Sequence, residues 1–556
     1  MDRIRIVVMP ARERAARRRL FDAIEETLPV RFVGGDTGDL AGAGGVFLLA
    51  DAASQAGAVP PDVPCLVAFG DETPAPAGTS PGPVLSLRRG EPLDARLHGL
   101  QLHDPAVADA PALLVEDRRA VLAGCGRRPL WISDRQQSGV RDHVAAAPAE
   151  LREEECLRDR LCDGRFLAVA ALVHFVRAVC APTGWRPPPL RACFLFDDPN
   201  LHWGSYGHLR YRELVGHADR FGYHVAFATV PLDGWWAHPQ TARLFRERSD
   251  RLSLVFHGND HTRLELDRPA GAVARRALVA QAVRRIGAFE RRSGVSVGRV
   301  MVAPHGVCSQ EMARELVPFG FDALCISRPY PWLARPPRSW LARPAGSSQL
   351  AGWDPASVVD DGLPVLLRRA FSEPVEDLPL RAFLDQPLIL YGHHGDMAGG
   401  LDRLAELAGV VGRLGDVDWM SPAQIAASNV TTRLEGDGLR VRLFTRRARL
   451  QIPGGVARIV VETPSLVGEA SKDSVRWGTG ENGAASAQLR DGTASFEIDA
   501  RAVEIRLIAE DAVDAAAVMA PPRRGWKIAR RLMVETRDRL TPVYRKTVGQ
   551  AARGRA

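Results

Sequence analysis

An apolar run ends in two adjacent acids in the stretch Ala192-Cys193-Phe194-Leu195-Phe196-Asp197-Asp198-Pro199-Asn200. Two later apolar runs also end in polar clusters, which read His257-Gly258-Asn259-Asp260-His261 and His393-His394-Gly395-Asp396. Short apolar runs bounded by polar residues are typical of buried strands. Parallel strands in a barrel place their carboxyl ends at one rim, so the three clusters are expected to meet there.

Seven apolar stretches of strand length can be counted in this part of the chain, at 192–196, 224–229, 252–256, 299–303, 322–326, 363–368 and 387–391. Helical patterns separate most of them, near 208–221, 240–248, 271–292 and 309–318. Alternating strands and helices predict an α/β architecture. With about seven strands, the pattern favours a closed or nearly closed β/α barrel over residues 190–425.

The segments outside the predicted barrel differ from it in pattern. Residues 1–150 alternate strand and helix patterns, which predicts a Rossmann-like α/β domain with a parallel sheet. Residues 151–189 are interpreted as a helical linker, continuing a helix near 147–180, followed by a Pro-rich hinge. Residues 430–515 alternate apolar and polar positions between Gly-rich turns, which predicts a small antiparallel domain of the β-sandwich type. The chain is therefore expected to be a multidomain α/β protein.

Composition excludes several classes of protein. Of the 556 residues, 46% are hydrophobic and 25% are charged, which excludes a disordered chain, a collagen-like repeat and a protein with many membrane spans. The basic excess is modest, 73 − 66 = +7, and the arginines are spread along the chain, so no nucleic-acid partner is expected. The first residues read as a strand rather than a signal peptide, and the eight cysteines form no Cys-x-x-Cys pair. We therefore expect a cytoplasmic protein with reduced thiols.

The segment 521–556 is a basic tail. It holds eleven Arg or Lys residues and only two acids, Glu535 and Asp538. Four apolar residues can share one helical face, namely Trp526, Ile528, Leu532 and Met533. Two interpretations stay open: a basic amphipathic helix that contacts an anionic membrane peripherally, or a terminal helix packed on its own domain.

Histidines are concentrated in the predicted barrel, where ten of the fourteen lie between 202 and 394. The i, i+4 spacing of His257 and His261 can place two imidazoles on one face of a helical turn, and imidazole nitrogen binds metals such as zinc. A carboxylate would complete three protein ligands and leave positions open for water and substrate. A second carboxylate can take the water proton, and a histidine can protonate a departing amine. The pattern therefore indicates a hydrolytic site.

The stretch from about residue 191 to 420 resembles the polysaccharide deacetylases with a NodB-homology domain. Phe196-Asp197-Asp198 is similar to the family's first motif, which implies that Asp197 is the general base and Asp198 a metal ligand. His257 and His261 are similar to the second motif, which implies two histidine ligands. The strand that ends at His393 is similar to the fifth motif, which implies that His393 is the general acid, with His394 as the alternative.

Three positions depart from the family pattern. Leu195 stands where the first motif has Thr, and Gly258 where the second has Ser or Thr. Val302 stands where the third motif has the Arg that orients the catalytic base. The fourth motif, an Asp near a Trp, has two candidates, at 353–354 and at 416–419.

The resemblance implies a seven-stranded barrel that binds one divalent ion, expected to be zinc, and removes an acetyl group from an N-acetylated sugar. A glycan precursor or glycoconjugate is the expected substrate, because no signal peptide is recognised. Accessory roles at the same rim are expected for His394, His305, Asp396, Asn200 and Trp203. Trp203, Trp235 and Trp236 are interpreted either as sugar-stacking side chains or as core and lid packing.

Two other functions stay open at this point. The departures at Leu195, Gly258 and Val302 fit a related barrel hydrolase that cuts another C–N amide bond. The missing Arg of the third motif also fits a catalytically degenerate barrel that binds sugar or scaffolds glycan assembly.

Overall fold

The structure is a computed structural model, and it describes residues 3–70, 83–115, 119–136, 139–153, 155–157, 160, 165–269, 271–327, 350, 357–359, 363–463, 473–478, 485–522 and 525–553. The chain divides into two compact units. The first unit holds Met1–Pro187, Arg335–Asp354 and Thr432–Gly436, and the second holds Pro188–Ala334, Pro355–Thr431 and Asp437–Ala556.

A nine-stranded mixed sheet forms the first unit. Its strands lie in the spatial order Val30–Gly34, Ile4–Met9, Gly45–Leu49, Cys65–Ala68, Gly139–Val144, Arg128–Gln136, Arg119–Cys125, Val84–Leu87 and Gln101–His103. The first five strands in this order pair in parallel, and the remaining pairs are antiparallel. Among the described residues, the helices of this unit with both ends given are Arg12–Ala16, Arg18–Thr27 and Leu167–Cys180, and Leu157 and Arg160 are also helical.

The antiparallel half departs from the parallel sheet that the sequence pattern favoured. Arg119–Cys125 and Arg128–Gln136 are separated by only two residues. So short a connection joins antiparallel strands, because a parallel pair needs a crossover of a dozen or more residues.

The predicted helix near 147–180 is also shorter, since it begins at Leu167. Ahead of it, Glu150 accepts the backbone N–H of Leu151, and Glu155 accepts that of Arg152. These side chains satisfy backbone donors that a helix would otherwise use, so the apolar periodicity overstated the helix.

Seven parallel strands close into a barrel in the second unit. In chain order they are Leu190–Asp197, Val225–Thr229, Leu252–His257, Val297–Val302, Ala323–Ile326, Leu363–Ala370 and Leu388–Gly392. Each strand pairs with the next, and the seventh pairs with the first, which closes the ring. The predicted α/β barrel is therefore confirmed.

Helices and short strands surround this barrel. The helices are Tyr211–Phe221, Pro239–Glu247, Ala272–Ser293, Gln310–Leu316, Leu378–Phe383, Asp402–Gly412 and Pro422–Ala427, and the short strands are Ser205–Tyr206, Leu209–Arg210, Ser357–Val359 and Val417–Trp419. Val417–Trp419 pairs with the amino end of the first barrel strand. The fourth-motif candidate at 416–419 therefore lies at the other end of that strand from Asp197. The candidate at 353–354 lies outside the described residues.

Strand residues alternate between the barrel interior and the surrounding helices. On the first strand, Cys193 and Leu195 belong to an interior apolar cluster. Phe194 and Phe196 belong to the outer cluster, between the strands and the helices. Because side chains on a strand alternate in direction, Asp197 continues the inward series and enters the barrel at its carboxyl rim.

Two further sheets follow the barrel in the second unit. One pairs Gly438–Leu443, Arg458–Glu462 and Thr493–Glu497, and the other runs Arg447–Gln451, Ala502–Ile508, Ser474–Gly478 and Ala485–Gln488; the strand Val430–Glu435 precedes both. The two sheets share one hydrophobic cluster, as the sheets of a sandwich do. The pair Gly438–Leu443 and Arg458–Glu462 is parallel rather than antiparallel, because the chain crosses to the other sheet between them and returns in the same direction.

A long helix, Gly525–Arg553, ends the described chain. No helix among the described residues has both the length and the apolar character needed to cross a membrane.

Candidate metal centre

Three side chains converge at the carboxyl rim of the barrel. Asp198 follows the first strand, His257 ends the third, and His261 lies four residues later. Their ligand atoms all lie within 4.8 Å of one another. The Nε2 atom of His261 lies 3.3 Å from an oxygen of Asp198, and the rings of His257 and His261 have centroids 5.0 Å apart. The structure thus brings the three predicted ligands together.

The chemistry of these donors fits a divalent ion such as zinc. The Nδ1 atom of His257 donates to the Val302 carbonyl at 3.0 Å, which leaves the Nε2 lone pair for a ligand bond. Burial lowers the pKa of His257 and lowers the pKa of His261 to about 3, so both imidazoles are neutral near pH 7. Burial opposes ionisation of Asp198, but His261 and Arg531 outweigh it and hold the pKa of that carboxyl well below its usual range. One carboxylate and two neutral imidazoles are ligands that catalytic zinc accepts.

The two histidines lie on a loop, not on the helical turn that their spacing suggested. The loop folds around the buried carboxylate of Glu265, whose oxygens accept the backbone N–H groups of residues 259, 260 and 261 at 2.8, 2.9 and 3.0 Å. These bonds replace the helical pattern and fix the distance between His257 and His261. Sequence reasoning missed Glu265, which lies four residues beyond the second histidine.

Left-handed backbone conformations recur around the centre. Asp198, His261 and His305 have φ angles of +79°, +52° and +59°. Gly258 has φ +62°, and a Cβ built on it would lie 1.9 Å from a Glu265 carboxylate oxygen. This contact explains why glycine stands where the family pattern has Ser or Thr. Non-glycine residues in this region are uncommon and cluster at functional sites.

Asp197 lies inside the rim, held by an arginine that sequence reasoning missed. Arg368, on the sixth barrel strand, donates to both carboxylate oxygens of Asp197 at 2.6 and 2.9 Å, and both side chains are buried. Its guanidinium also lies 3.9 Å from the centroid of the Tyr391 ring. Burial opposes ionisation of Asp197, but Arg368 and then His257 outweigh it and lower the pKa. Arg368 thus fixes the orientation of the Asp197 carboxylate.

His393 and His305 reach the same rim from other segments. His393 follows the seventh strand, is exposed, and lowers the pKa of both Asp197 and Asp198. The ring of His305 packs edge-on against His261, with centroids 4.8 Å apart. His305 therefore contacts His261, and His393 follows the strand that pairs with the first barrel strand.

Asp396 and His394 contact other residues than the three predicted ligands. An oxygen of Asp396 accepts the His393 backbone N–H at 2.8 Å, which caps the short turn there. The ring of His394 stacks on His208 with centroids 5.9 Å apart, and its Nε2 lies 3.9 Å from a carboxylate oxygen of Asp538.

Asn200 and the three tryptophans lie in the segments that follow the first and second barrel strands. The Asn200 side-chain oxygen accepts the His202 backbone N–H at 3.2 Å and an N–H of Arg539 at 3.1 Å, so it holds the loop after the first strand. Trp203, Trp235 and Trp236 are all exposed, which excludes core packing for them.

The C-terminal helix lies against this rim through its basic side chains. Arg531 is 3% exposed; it donates to Asp233 at 2.7 Å and to the Asp198 backbone carbonyl at 3.1 Å. Another Arg531 nitrogen lies 3.3 Å from the Asp198 oxygen that faces the histidine. Lys527 pairs with buried Asp260. The tail therefore packs on its own barrel, as one of the two interpretations held.

The acids of this helix also face the barrel. Glu535 accepts a hydrogen bond from His202 at 3.0 Å, and Asp538 accepts one from the Tyr206 hydroxyl at 3.0 Å. Arg531, Glu535 and Asp538 of this helix are thus all paired with residues of the barrel.

The candidate metal centre thus consists of one carboxylate and two histidines at the carboxyl rim of a closed seven-stranded barrel. No family model matches the chain, and no curated protein matches it. Solved structures similar to it are described as polysaccharide or carbohydrate deacetylases and family 4 carbohydrate esterases.

Three of these structures illustrate the extent of the similarity. A putative polysaccharide deacetylase from Mycobacterium smegmatis is 20% identical over 44% of this chain and 91% of that chain, with a TM-score of 0.29. Agd3, described as a novel carbohydrate deacetylase, is 11% identical over 91% of this chain and 99% of that chain, with a TM-score of 0.43. The polysaccharide deacetylase Bc1974 from Bacillus cereus is 11% identical over 42% of this chain and 91% of that chain, with a TM-score of 0.25. Because these TM-scores lie below 0.5, the barrel assignment rests on the strand pairing of this chain.

Proposed function

We propose that the chain is a zinc-dependent hydrolase that removes an N-acetyl group from a sugar of a glycan precursor or glycoconjugate. The observation that carries the proposal is the convergence of Asp198, His257 and His261, whose ligand atoms lie within 4.8 Å of one another. The motifs that resemble polysaccharide deacetylases and the exposed tryptophans at the rim support the substrate class. A cytoplasmic location stays a prediction.

Asp197 and His393 would carry out the two proton transfers of the proposed hydrolysis. A bound divalent ion supplies Lewis acidity toward a carbonyl oxygen and toward water. Asp197, kept ionised by Arg368, would accept the proton of the attacking water. His393 would give a proton to the departing amine nitrogen as the C–N bond breaks, which leaves acetate and a free amino sugar.

The test measures bound metal and acetate release on the same preparations. The wild-type chain should retain about one equivalent of zinc after reconstitution, and it should release acetate from N-acetylated oligosaccharides. Asp198→Ala and His257→Ala should lose both properties. Asp416→Ala is the matched control, because that exposed carboxylate lies at the opposite end of the barrel.

The outcomes separate the alternatives. Metal without acetate release, together with cleavage of a different amide, would favour a related hydrolase of C–N bonds. Absence of metal from the reconstituted wild type would overturn the proposal.

A catalytically degenerate, sugar-binding barrel is the second candidate, and the contact between Arg531 and Asp198 favours it. A guanidinium nitrogen 3.3 Å from the Asp198 oxygen supplies positive charge where a cation would bind. Under this alternative, Arg531→Gln would acquire metal that the wild type lacks. Equal metal content in the wild type and in Arg531→Gln would exclude competition between Arg531 and the metal ion for Asp198.

A further inference from the structure

The outward face of the C-terminal helix is apolar. Its large apolar side chains Trp526, Met533 and Leu540 recur every seven residues and are between 53% and 66% exposed, and Leu532 and Ile528, which are 48% and 53% exposed, lie beside this stripe. The opposite face, with Arg531, Glu535 and Asp538, is buried against the barrel. A helix packed on a globular protein normally buries its apolar side. Here the charged side is buried and an apolar stripe faces solvent.

The charges on this helix are also divided by face. Its only acids, Glu535 and Asp538, both point to the barrel. Arg537 contacts Asp538, yet its side chain is 71% exposed. Where the structure describes side chains of this helix, the outward surface therefore carries apolar groups and a cation but no carboxylate. The sequence continues with Arg545 and Lys546.

We propose that this outward face is a docking surface for an anionic lipid bilayer, with the helix lying in the plane of the membrane interface. Tryptophan and aliphatic side chains on one face enter the boundary between headgroups and acyl chains, and adjacent cations attract anionic headgroups. Both elements are present on this face, and no outward acid opposes them.

A second copy of the chain fits the surface less well. The helix from 525 to 541 is about 25 Å long and about 10 Å wide, so its face offers on the order of 250 Å². A stable protein interface buries about 800 Å² on each partner. A two-fold pairing would also bring the cation of one copy toward that of the other. A bilayer has neither constraint.

The surface is independent of the proposed hydrolysis. It lies on the side of the helix away from Arg531 and Asp198, so a membrane can bind while the helix stays packed on the rim. A failure of vesicle binding would therefore leave the metal and acetate measurements unaffected.

The test is co-sedimentation of the full chain with vesicles of phosphatidylcholine alone or mixed in equal parts with phosphatidylglycerol. The wild type should sediment with the mixed vesicles, and added salt should weaken this binding. Met533→Glu should bind the mixed vesicles at least about tenfold more weakly, because it places a charge where an apolar group would enter the lipid. Arg537→Gln should lose about fivefold on the mixed vesicles alone.

Val273→Glu is the matched control. Val273 is an exposed apolar residue on another helix of the same unit, so the substitution adds the same charge away from the proposed surface. It should bind vesicles as the wild type does. A wild type that stays in the supernatant, or a Met533→Glu variant that sediments equally well, would overturn the proposal. A third outcome is a wild type that does not bind lipid but forms a dimer in the absence of vesicles. If Met533→Glu dissociates that dimer, the face would be assigned to a second copy instead.

Discussion

Replacing Arg368 with glutamine should destabilise the barrel in a pH-dependent manner. Arg368 and Asp197 form a buried, bidentate pair with N–O distances of 2.6 and 2.9 Å. Removing one partner of such a pair costs about 3–5 kcal/mol, because it leaves a buried charge uncompensated. Coulomb's law gives a similar value, about 4 kcal/mol for charges about 4 Å apart at an effective dielectric constant of about 20.

Protonation of Asp197 limits this loss. In the wild type, Arg368 lowers the pKa of Asp197, so the pair stabilises the fold above the unfolded pKa of about 3.9. In the variant, burial is unopposed by Arg368, and the carboxyl can take up a proton instead. Protonating a group with that unfolded pKa costs about 4 kcal/mol at pH 7 and about 1.5 kcal/mol at pH 5. The loss of unfolding free energy in Arg368→Gln, relative to the wild type, should therefore become smaller as the pH falls.

Hydrogen exchange measured by mass spectrometry reports this loss locally. Peptides from Leu190–Asp197 and Leu363–Ala370 should exchange several hundredfold faster in Arg368→Gln at pH 7, and about tenfold faster at pH 5, after correction for intrinsic rates. Arg369→Gln is the control, because this neighbour pairs with partly exposed Asp377 and such pairs contribute at most about 1 kcal/mol. Equal protection in the two variants, or the same deficit at both pH values, would refute the reasoning.

Three further predictions concern the site and the barrel. Asp197→Asn should keep bound metal while it stays folded but lose acetate release, because Asp197 lies outside the ligand cluster; loss of metal from variant protein with native secondary structure would make it a ligand. Gly258→Ser should reduce both metal affinity and thermal stability, because its Cβ would collide with Glu265. Gly271→Ser, with open space around it at the start of the helix Ala272–Ser293, should reduce neither; equal losses would contradict the loop geometry. Burial lowers the pKa of His224 to about 4, so the unfolded chain takes up a proton there below about pH 6.5 and the folded chain does not. The free energy of unfolding should consequently fall by up to about 3 kcal/mol between pH 6.5 and pH 4, and a His224→Asn variant that loses just as much would contradict this assignment.

Local sequence patterns were sufficient for the barrel strands and for the polar clusters at their carboxyl ends. A buried strand requires a run of apolar residues, and the residues that follow it at the rim are free to be polar. The first strand shows both features, from its apolar run to Asp197 and Asp198. The convergence of Asp198 with His257 and His261 followed from one assumption, that the strands are parallel.

Local patterns failed where a residue's partner is not its neighbour in sequence. The spacing of His257 and His261 suggested a helical turn, but Glu265 binds the intervening N–H groups and holds a loop instead. In the first unit, a parallel sheet was expected because the short antiparallel connections were not recognised. The apolar character of a strand reports its burial, but it does not report the direction of its neighbour.

The sequence by itself determined which segments form the barrel and which polar residues end its strands. Only the tertiary structure decided which arginine holds Asp197 and which residues approach Asp198. Arg368 is 171 positions from Asp197, and Arg531 is 333 positions from Asp198. Strand burial is encoded in the apolar pattern of each segment, whereas these contacts exist only after the ring of strands closes and the terminal helix packs on its rim.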